Sequence, residues 1–290
     1  MTITWIEDRD PLPDPARVPV TESGLVAAGL DLSPARLHEA YRKGLFPWYS
    51  PGEPVLWWSP DPRMLLRCED LHISRSLAKR LRQFDQTASS LRVTLNQAFP
   101  EVIARCATRG MPRISLGAAR EGHVWTQPDT AQGRDGTWIT PDIMAAYTAW
   151  HRMGHAHSVE TWIGGQLAGG LYGVGLGQCF FGESMFSLAT DASKVALAYL
   201  VQHLRTRGAP WIDCQQETLH LARLGARPVA RKTFLSLLAA GLDLPTPPWC
   251  QGRLRADGRL EPLPTGWPSD AAGATMNRSA LWESSDSEDS

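Results

Sequence analysis

The sequence predicts an α+β protein in which a small N-terminal domain precedes a larger domain with a mainly antiparallel sheet. Three observations support this class. A capped amphipathic helix lies near the N-terminus, three strand-like segments with glycine turns follow a helix in mid-chain, and further helices enclose a last strand. Strands joined by two-residue turns are antiparallel, and such an element order is typical of α+β proteins. We place the small domain at 1–62, the larger domain at 63–250 and a Pro/Ser/Asp-rich tail without fixed structure at 251–290.

The N-terminal helix is marked at both ends. Ser33 is a favourable N-cap, Pro34 occupies the first helical position, and Gly44 suits the left-handed residue that ends a helix. Its apolar face consists of Leu37, Ala40 and Tyr41. The segment 46–62 follows, with five prolines and three tryptophans. Because proline removes a backbone donor and fixes φ, we expect 46–62 to be a rigid, largely irregular loop.

A second helix is predicted over 74–84, where apolar residues recur at helical spacing. Its opposite face carries three basic residues within one arc, namely Arg75, Lys79 and Arg82. A charged face is usually solvated surface, but no acid interrupts this one, so phosphate binding stays open as an alternative. Residues 109–136 are rich in Gly and Arg without periodicity, and we interpret them as a long loop or insertion.

The sheet is predicted in the second half of the chain. A helix begins at Thr140-Pro141 and ends at Gly154, and strands are expected in 158–163, 166–174 and 177–183, the first two joined by the turn Gly164-Gly165. Asp191 is expected to cap the next helix, which ends at Gly208; a strand at 211–215 and helices near 217–224 and 232–240 follow. This order resembles the acyltransferase fold of the N-acetyltransferase superfamily.

Composition narrows the class of protein. The net charge of −1 indicates no global attraction to nucleic acid, so any basic surface has to be local. Five scattered cysteines without a C-x-x-C pair favour reduced thiols over a disulfide framework or a zinc knuckle. Neither a stretch of about twenty apolar residues nor a signal-peptide pattern is found. We therefore expect a cytoplasmic protein without membrane association; its oligomeric state stays open, with a monomer as the default.

Three polar residues stand next to buried apolar strands. Asp213 and Gln215 are two residues apart, which in a strand places them on one side, and Glu183 is expected where the third strand gives way to the next helix. Taken singly, each acid is more often a cap or a surface charge. Because strand ends beside helices commonly hold working groups, we interpret the three together as candidate catalytic residues.

Two further patterns are assigned structural roles. His155 and His157 have strand spacing and could ligate a metal, but no other His, Cys or Asp cluster accompanies them, so a structural role is preferred. Gly173-x-Gly175-x-Gly177 lacks the spacing and the following helix of a dinucleotide site and is interpreted as a tight turn. Neither a G-x-S-x-G elbow nor a P-loop is present.

Several longer strings resemble one family. They are DLSPARLHEAYRKGLFPWYSPGEPVLWWSPDPR, GTWIT, GHAHSVE, LYGVGLGQCFFGESMFS, IDCQ and HLARLGA. Over roughly 24–245, apart from 109–136, the chain is similar to the leucyl/phenylalanyl-tRNA–protein transferases of bacteria. FPWYSPG…WWSPDPR together with GESMF and IDCQ is a very specific combination.

The resemblance implies a larger domain with the N-acetyltransferase-like (GNAT-like) fold. It also implies transfer of Leu or Phe, less well Met, from aminoacyl-tRNA to proteins that begin with Arg or Lys, which creates a bacterial N-terminal degradation signal. By this resemblance, the family's active site corresponds to Asp213, Gln215 and Glu183. Its tRNA 3′-end site corresponds to Trp48 and Trp138. Its aminoacyl side-chain pocket corresponds to Leu171, Phe180, Met185 and Leu197. Leu188 departs from the family, which usually has arginine directly after GESMFS, and 109–136 is longer than the family's turn.

The implied reaction is aminolysis, in which an α-amine attacks the ester between an amino acid and the tRNA ribose. The ester is already activated, so we expect no ATP, CoA or metal cofactor, and the protein's share is positioning and proton handling. A neutral amide is a very weak base, so we expect Gln215 to accept a hydrogen bond from the amine. The proton would go to Asp213, a tRNA hydroxyl or water, and Glu183 would position or attract the acceptor.

Two alternatives from other classes remain. An acetyl-CoA-dependent N-acetyltransferase would need an R/Q-x-x-G-x-G/A loop at a helix start, whereas this helix is entered through SLATDASK. An RNA-binding module without catalysis would use stacking tryptophans and the basic helix.

Overall fold

The computed structural model describes residues 3–18, 24–85, 91–108 and 138–263, which form two β-sheets and seven α-helices. The helices are α1 (Pro34–Arg42), α2 (Arg75–Asp85), α3 (Phe99–Ala107), α4 (Pro141–Arg152), α5 (Ala192–Thr206), α6 (Leu219–Arg223) and α7 (Arg231–Leu242). The strands are β1 (Thr4–Ile6), β2 (Leu25–Gly29), β3 (Phe46–Pro47), β4 (Val55–Trp58), β5 (Arg63–Arg67), β6 (Leu91–Leu95), β7 (Ala156–Ile163), β8 (Gln166–Leu176), β9 (Cys179–Ser187), β10 (Trp211–Asp213), β11 (Arg227–Val229), β12 (Gly252–Leu254) and β13 (Leu260–Glu261). The expected insertion at 109–136 lies outside the described residues.

The smaller sheet has the strand order β1-β2-β4-β3. The expectation of a largely irregular loop over 46–62 is wrong for β3 and β4, which both fall in that segment. Its prolines do not prevent pairing, because Pro47 lies in the edge strand β3 and the others lie outside the strands. The tryptophan-rich segment is therefore a two-stranded part of a sheet.

The helix α1 joins the smaller sheet to the rest of the protein. As predicted, Ser33 is the N-cap, with its side chain accepting from the Arg36 backbone N–H at 3.2 Å, and Pro34 opens the helix. The predicted apolar face is fully buried, and α1 packs against α4 and α7. The two sheets thus share one hydrophobic core.

The larger sheet has nine strands in the order β11-β5-β10-β9-β8-β7-β6-β12-β13. The predicted order of helix, three antiparallel strands, helix, strand and helix is confirmed by α4, β7–β9, α5, β10 and the helices that follow. Strand β10 lies parallel to β9, and α5 is the crossover between them. The pattern did not predict β6, α3 or β11. The interpretation of Gly173-x-Gly175-x-Gly177 as a tight turn is wrong for its first two glycines, which lie inside β8.

The longest described helix is α5, with 15 residues. Asp191 does stand at its N-cap position, but its side chain makes no capping hydrogen bond and accepts from the Lys194 ammonium at 2.7 Å. None of the helices in the described ranges is long and apolar enough to cross a membrane.

The C-terminal segment is ordered further than expected. The prediction of a tail without fixed structure from residue 251 is wrong up to residue 263, because β12 pairs with β6 and β13 pairs with β12. Sheet hydrogen bonds, together with the burial of Leu254 (1% exposed), order a segment whose composition offers few apolar residues. Residues 264–290 lie outside the described residues.

Candidate active site

A cavity of about 920 Å³ lies between β8, β9, α5 and the segment that follows β10. Seven of the residues predicted from the sequence line it: Trp138, Leu171, Phe180, Glu183, Met185, Leu197 and Gln215. The four apolar members form one wall region, because Leu171, Phe180 and Met185 come from neighbouring strands and Leu197 from the helix packed over them. The fold therefore brings the expected apolar pocket and two of the three expected polar groups to one place.

Glu183 enters the cavity through a β-bulge. Tyr172 pairs with Ser184 while Gly173 pairs with Gly182, so Glu183 is the extra residue on β9. The sequence placed it at the end of the strand, but β9 continues to Ser187. A bulge bends the strand locally and redirects the side chain of the extra residue. This local irregularity presents the Glu183 carboxylate to the cavity from the middle of a strand.

Two tyrosine hydroxyls form hydrogen bonds with the Glu183 carboxylate. The Tyr41 hydroxyl donates to Oε1 at 2.6 Å, the Tyr147 hydroxyl lies 3.4 Å from Oε2, and the two hydroxyls are 2.5 Å apart. Both tyrosines are fully buried. Removal from water raises the pKa of Glu183 to about 7; the charge of Asp213 adds to the rise, and the hydrogen bonds from Tyr41 and Gln215 oppose it. Glu183 therefore changes charge near neutral pH.

Gln215 lines the cavity next to Glu183, and the two side chains are hydrogen-bonded to each other. Its side-chain Nε2 donates to Glu183 Oε1 at 2.8 Å, which leaves the amide carbonyl available to accept from another donor. Its backbone is left-handed, with φ of 63°. The expected strand alternation from Asp213 to Gln215 is therefore wrong: the strand ends at Asp213, and the chain turns before Gln215 reaches the cavity.

Asp213 lies behind the cavity rather than in it. Its side chain is completely buried and both oxygens bind Arg63, with Nε donating to Oδ1 at 2.8 Å and Nη2 donating to Oδ2 at 2.6 Å. Oδ1 also accepts the backbone N–H of Gln215 at 2.9 Å. The Arg63 guanidinium is enclosed between the rings of Phe46 and Phe234, at 4.8 and 4.4 Å. Asp213 thus does not line the cavity but contacts the backbone of Gln215, which does.

The two tryptophans assigned to the tRNA end occupy different surroundings. Trp138 lines the cavity, whereas Trp48 is not among the described residues that line it. The ring of Trp48 packs 6.0 Å from that of Trp58, and its backbone N–H donates to Leu56. Leu188, the departure from the family pattern, is exposed and lies on the rim of the cavity.

The predicted basic face of α2 is exposed and lies outside the cavity. Arg75, Lys79 and Arg82 are all accessible to solvent, while Leu77 and Phe84 on the opposite face are buried against α5 and β6. The helical periodicity is therefore confirmed, and the role of its basic face stays a prediction.

The rings of His155 and His157 pack against other aromatic rings. The buried ring of His157 stacks on that of Trp249 at 4.3 Å, and burial lowers its pKa to about 3. The ring of His155 lies 5.2 Å from that of His38. Across the ranges that the structure describes, no three His, Cys, Asp or Glu residues are grouped so as to hold a metal.

Sequence reasoning missed the residues that support the site. Tyr41 belongs to the predicted apolar face of the first helix, and Tyr147 lies in the helix predicted from Thr140-Pro141 to Gly154. The available signal is that a buried tyrosine hydroxyl usually needs a partner. Arg63 offered a similar signal as a charged residue at the start of a buried strand. His220 and Cys214 also line the cavity, and no pattern in the sequence singles them out.

The fold and the site together define a class of protein. An apolar cavity on a mixed sheet ends at an amide–carboxylate pair, formed by Gln215 and Glu183. Such an arrangement is suited to a transferase that positions an amine beside an acyl group that is already activated.

Comparison with known proteins identifies the family. The family model described as leucyl/phenylalanyl-tRNA protein transferase matches residues 122–239 of this chain. The family model for the N-terminal domain of that transferase matches residues 30–61. Proteins named leucyl/phenylalanyl-tRNA–protein transferase are 50% identical in Bordetella bronchiseptica over 91% of this chain and 97% of the relative, and 52% identical in Methylibium petroleiphilum over 81% and 83%. A third, from Leptothrix cholodnii, is 46% identical over 91% and 99%. The chain belongs to the leucyl/phenylalanyl-tRNA–protein transferase family and is an aminoacyltransferase.

Proposed function

We propose that this enzyme transfers Leu or Phe, and less well Met, from aminoacyl-tRNA to the N-terminus of proteins that begin with Arg or Lys. The product carries an N-terminal degradation signal, and the reaction takes place in the cytoplasm, where aminoacyl-tRNA is found. The observation that carries the proposal is an apolar cavity bordered by an amide whose carbonyl faces no partner among the described residues. We assign the catalytic role to the GNAT-like domain over 63–250.

The aminoacyl side chain occupies the apolar part of the cavity, against Leu171, Phe180, Met185 and Leu197. Burial of apolar surface there contributes about 25 cal/mol for each Å². A β-branched side chain carries its bulk next to the reacting carbonyl and is rejected sterically. A charged side chain loses water without gaining a partner, which costs more than its contacts return.

The acceptor amine approaches at the polar end of the cavity. With its Nε2 donating to Glu183, Gln215 keeps its carbonyl for the amine and aims the nitrogen at the ester. The α-ammonium, with pKa of about 8, first releases one proton to water. The new C–N bond forms as the ester C–O bond breaks, and the second amine proton goes to the departing ribose oxygen. Ionised Glu183 draws the cationic acceptor into the site.

Asp213 acts as a positioning residue in this scheme. Both of its oxygens already bind Arg63, and neither is accessible to an amine. Of the proton acceptors that the sequence left open, this arrangement favours the tRNA hydroxyl and water over Asp213. Asp213 instead holds the backbone N–H of Gln215 and with it the left-handed turn that points the amide at the cavity.

The tRNA is held outside the pocket. We propose that Trp138, on the cavity, and Trp48, on the smaller sheet, stack on nucleotides at the tRNA 3′ end, because base–aromatic stacking is worth about 1–3 kcal/mol per base. The exposed basic face of α2 binds backbone phosphates through Arg75, Lys79 and Arg82.

A direct assay tests the function. Purified protein, Phe-charged tRNA and a peptide that begins with Arg should yield the Phe-extended peptide without any cofactor, and neither acetyl-CoA nor EDTA should change the rate. A peptide that begins with Asp is the matched control. Activity that depends on acetyl-CoA, or that EDTA abolishes and zinc restores, would contradict the proposal. Binding of charged tRNA without any transfer would instead favour an RNA-binding module.

A further inference from the structure

The larger sheet has a gap in its side-chain layer directly behind the cavity. On one face of β8 the residues are Leu171, which lines the cavity, and then Gly173 and Gly175. Two glycines on one face of a strand leave bare backbone there, and glycine inside a strand commonly marks the close approach of another group. The gap is filled by the rings of Phe180 and Trp249.

The two glycines are required by these rings. A Cβ on Gly173 would lie 2.3 Å from the Phe181 carbonyl oxygen and 2.6 Å from Cζ of Phe180, and a Cβ on Gly175 would lie 2.7 Å from Nε1 of Trp249. Atoms this close cannot coexist without movement, so a larger residue at position 175 displaces the indole, and one at position 173 displaces both backbone and the Phe180 ring. The ring centroids of Phe180 and Trp249 are 5.3 Å apart. Phe180 therefore lines the cavity and also packs against Trp249, which is not among the described residues that line it.

Trp249 is fixed in this position by the C-terminal segment. Its carbonyl accepts from Asn96 Nδ2 at 2.6 Å, and the preceding carbonyl, of Pro248, lies 3.2 Å from His203 Nε2. Its ring stacks on that of His157 with planes 10° apart. Beyond it, β12 adds to the edge of the sheet. Trp249 Nε1 is buried and has no partner among the described residues, so its position is set by shape and stacking.

We infer that Trp249 is a specificity-determining residue for the donor amino acid, acting through Phe180. Its indole forms the back support of the Phe180 ring and so sets the depth of the aminoacyl pocket. The Gly173–Gly175 gap provides the space that both rings occupy against the sheet. This inference rests on the proposed function, in which Phe180 borders the aminoacyl side chain.

The support can be removed without altering a cavity-lining residue. Trp249→Leu leaves space behind Phe180, so the ring can move back and the pocket deepens. Transfer of Trp from charged tRNA should then rise relative to transfer of Phe by about tenfold, the discrimination that a change of one methylene makes in an apolar pocket. Trp249→Phe retains an aromatic support and should show a smaller change. Gly175→Ala pushes the indole away from the sheet, because the new Cβ would lie 2.7 Å from Nε1, and should shift the ratio in the same direction.

The matched control is Trp211→Leu. Trp211 is a buried tryptophan on the opposite face of the same sheet, packed against Phe181 and Phe234. It should lose stability through the same change of volume but keep the wild-type donor ratio. The experiment is competition between Phe- and Trp-charged tRNA for one Arg-initiated peptide, with the full chain.

Each outcome decides the inference. A changed ratio in Trp249→Leu and Gly175→Ala, but not in Trp211→Leu, supports it. If Met185→Ala in the pocket shifts the ratio and neither Trp249→Leu nor Gly175→Ala does, the pocket stands and the role of Trp249 is overturned. If none of these variants shifts the ratio, the proposed pocket itself fails. An equal shift of the Trp-to-Phe transfer ratio in Trp211→Leu would mean that any loss of core packing changes the ratio, and it would overturn the inference. If Trp249→Leu does not fold, Gly175→Ala and Trp249→Phe decide.

Discussion

The guanidinium of Arg63 binds both carboxylate oxygens of Asp213, and neither side chain is exposed to solvent. One of these oxygens also accepts the backbone N–H of Gln215. A buried pair of this kind contributes little net stability when both partners are present, but removal of one partner leaves an uncompensated charge. The pair therefore links the integrity of the fold to the orientation of Gln215.

Removal of Arg63 alone should destabilise the protein strongly. Arg63→Met should lower the free energy of unfolding by about 3–5 kcal/mol, because the Asp213 charge stays buried. The double variant Arg63→Met/Asp213→Leu should recover much of this stability in urea unfolding and yet remain slow in transfer, since the Gln215 N–H no longer has its acceptor. A double variant with wild-type activity would show that Asp213 is not needed to position Gln215.

The amide of Gln215 should be required for the rate and not for tRNA binding. Gln215→Ala removes the carbonyl that orients the amine, so we expect transfer to fall by about 10²-fold or more, the scale of loss from misplaced reacting groups. Gln215→Glu keeps an acceptor and should retain measurable activity. Single-turnover rates and filter binding of Phe-tRNA separate the two effects. A Gln215→Ala enzyme with a near wild-type rate would remove this residue from the mechanism.

Glu183 should impose a pH dependence near neutrality. Its pKa is raised to about 7 by burial, so the carboxylate that attracts the amine is lost as the pH falls through 7. Below that pH the wild-type rate depends on two deprotonations, of Glu183 and of the acceptor amine, and its logarithm should rise with a slope approaching two. Glu183→Gln should be slower and show a slope of one, measured as kcat/KM between pH 5.5 and 8.5. Equal slopes would mean that Glu183 does not titrate in the reaction.

The raised pKa of Glu183 favours activity at higher pH but lowers the free energy of unfolding there. A carboxyl whose folded pKa lies above its unfolded value of 4.5 binds its proton more tightly in the native state. Its unfavourable contribution is therefore absent below pH 4.5 and complete above about pH 7. Between these values the free energy of unfolding should fall less steeply with rising pH in Glu183→Gln than in the wild type.

The exposed basic face of α2 should contribute salt-dependent tRNA affinity. Removal of each phosphate-binding side chain should flatten the dependence of log K on log salt by about one unit or less, irrespective of the anticodon. The test is the triple alanine variant of Arg75, Lys79 and Arg82. A double alanine variant of Arg227, in β11 at the other edge of the sheet, and Lys232, in α7, is the control; both residues are exposed. An unchanged salt slope in the first variant would identify this face as solvated surface.

Two truncations should distinguish the part of the C-terminal segment that stabilises the fold from the part that does not. Removal of 266–290 should leave the melting temperature and transfer unchanged, because that composition cannot bury a core. Removal from residue 250 onward also deletes β12 and β13, uncovers β6 and should lower the melting temperature clearly. A large fall in the shorter truncation would show that the terminal residues dock on the protein.

Local signals in the sequence determined several of the regular elements, although not β3, β4, β6, α3 or β11. Ser33 and Pro34 define the start of α1 because capping acts within one turn, and Gly164-Gly165 defines the β7–β8 hairpin because only glycine readily takes the positive φ values found there. Longer sequence strings indicated the family, and the resemblance to that family indicated the pocket residues. The structure places these pocket residues in the lining of one cavity. The family and the main order of elements were thus accessible without coordinates.

Tertiary structure alone decided which groups partner the candidate catalytic residues. Arg63 and Asp213 are 150 residues apart, and Tyr41 and Glu183 are 142 apart, so no local periodicity could pair them. The bulge at Glu183 is a mismatch between two strands and has no signature in either strand alone. Sequence patterns record propensities over a few residues, whereas a buried polar group takes whichever partner the fold brings within hydrogen-bonding distance. For that reason the family and the main order of elements from α4 to α7 could be predicted from the sequence, and the orientation and charge state of the site could not.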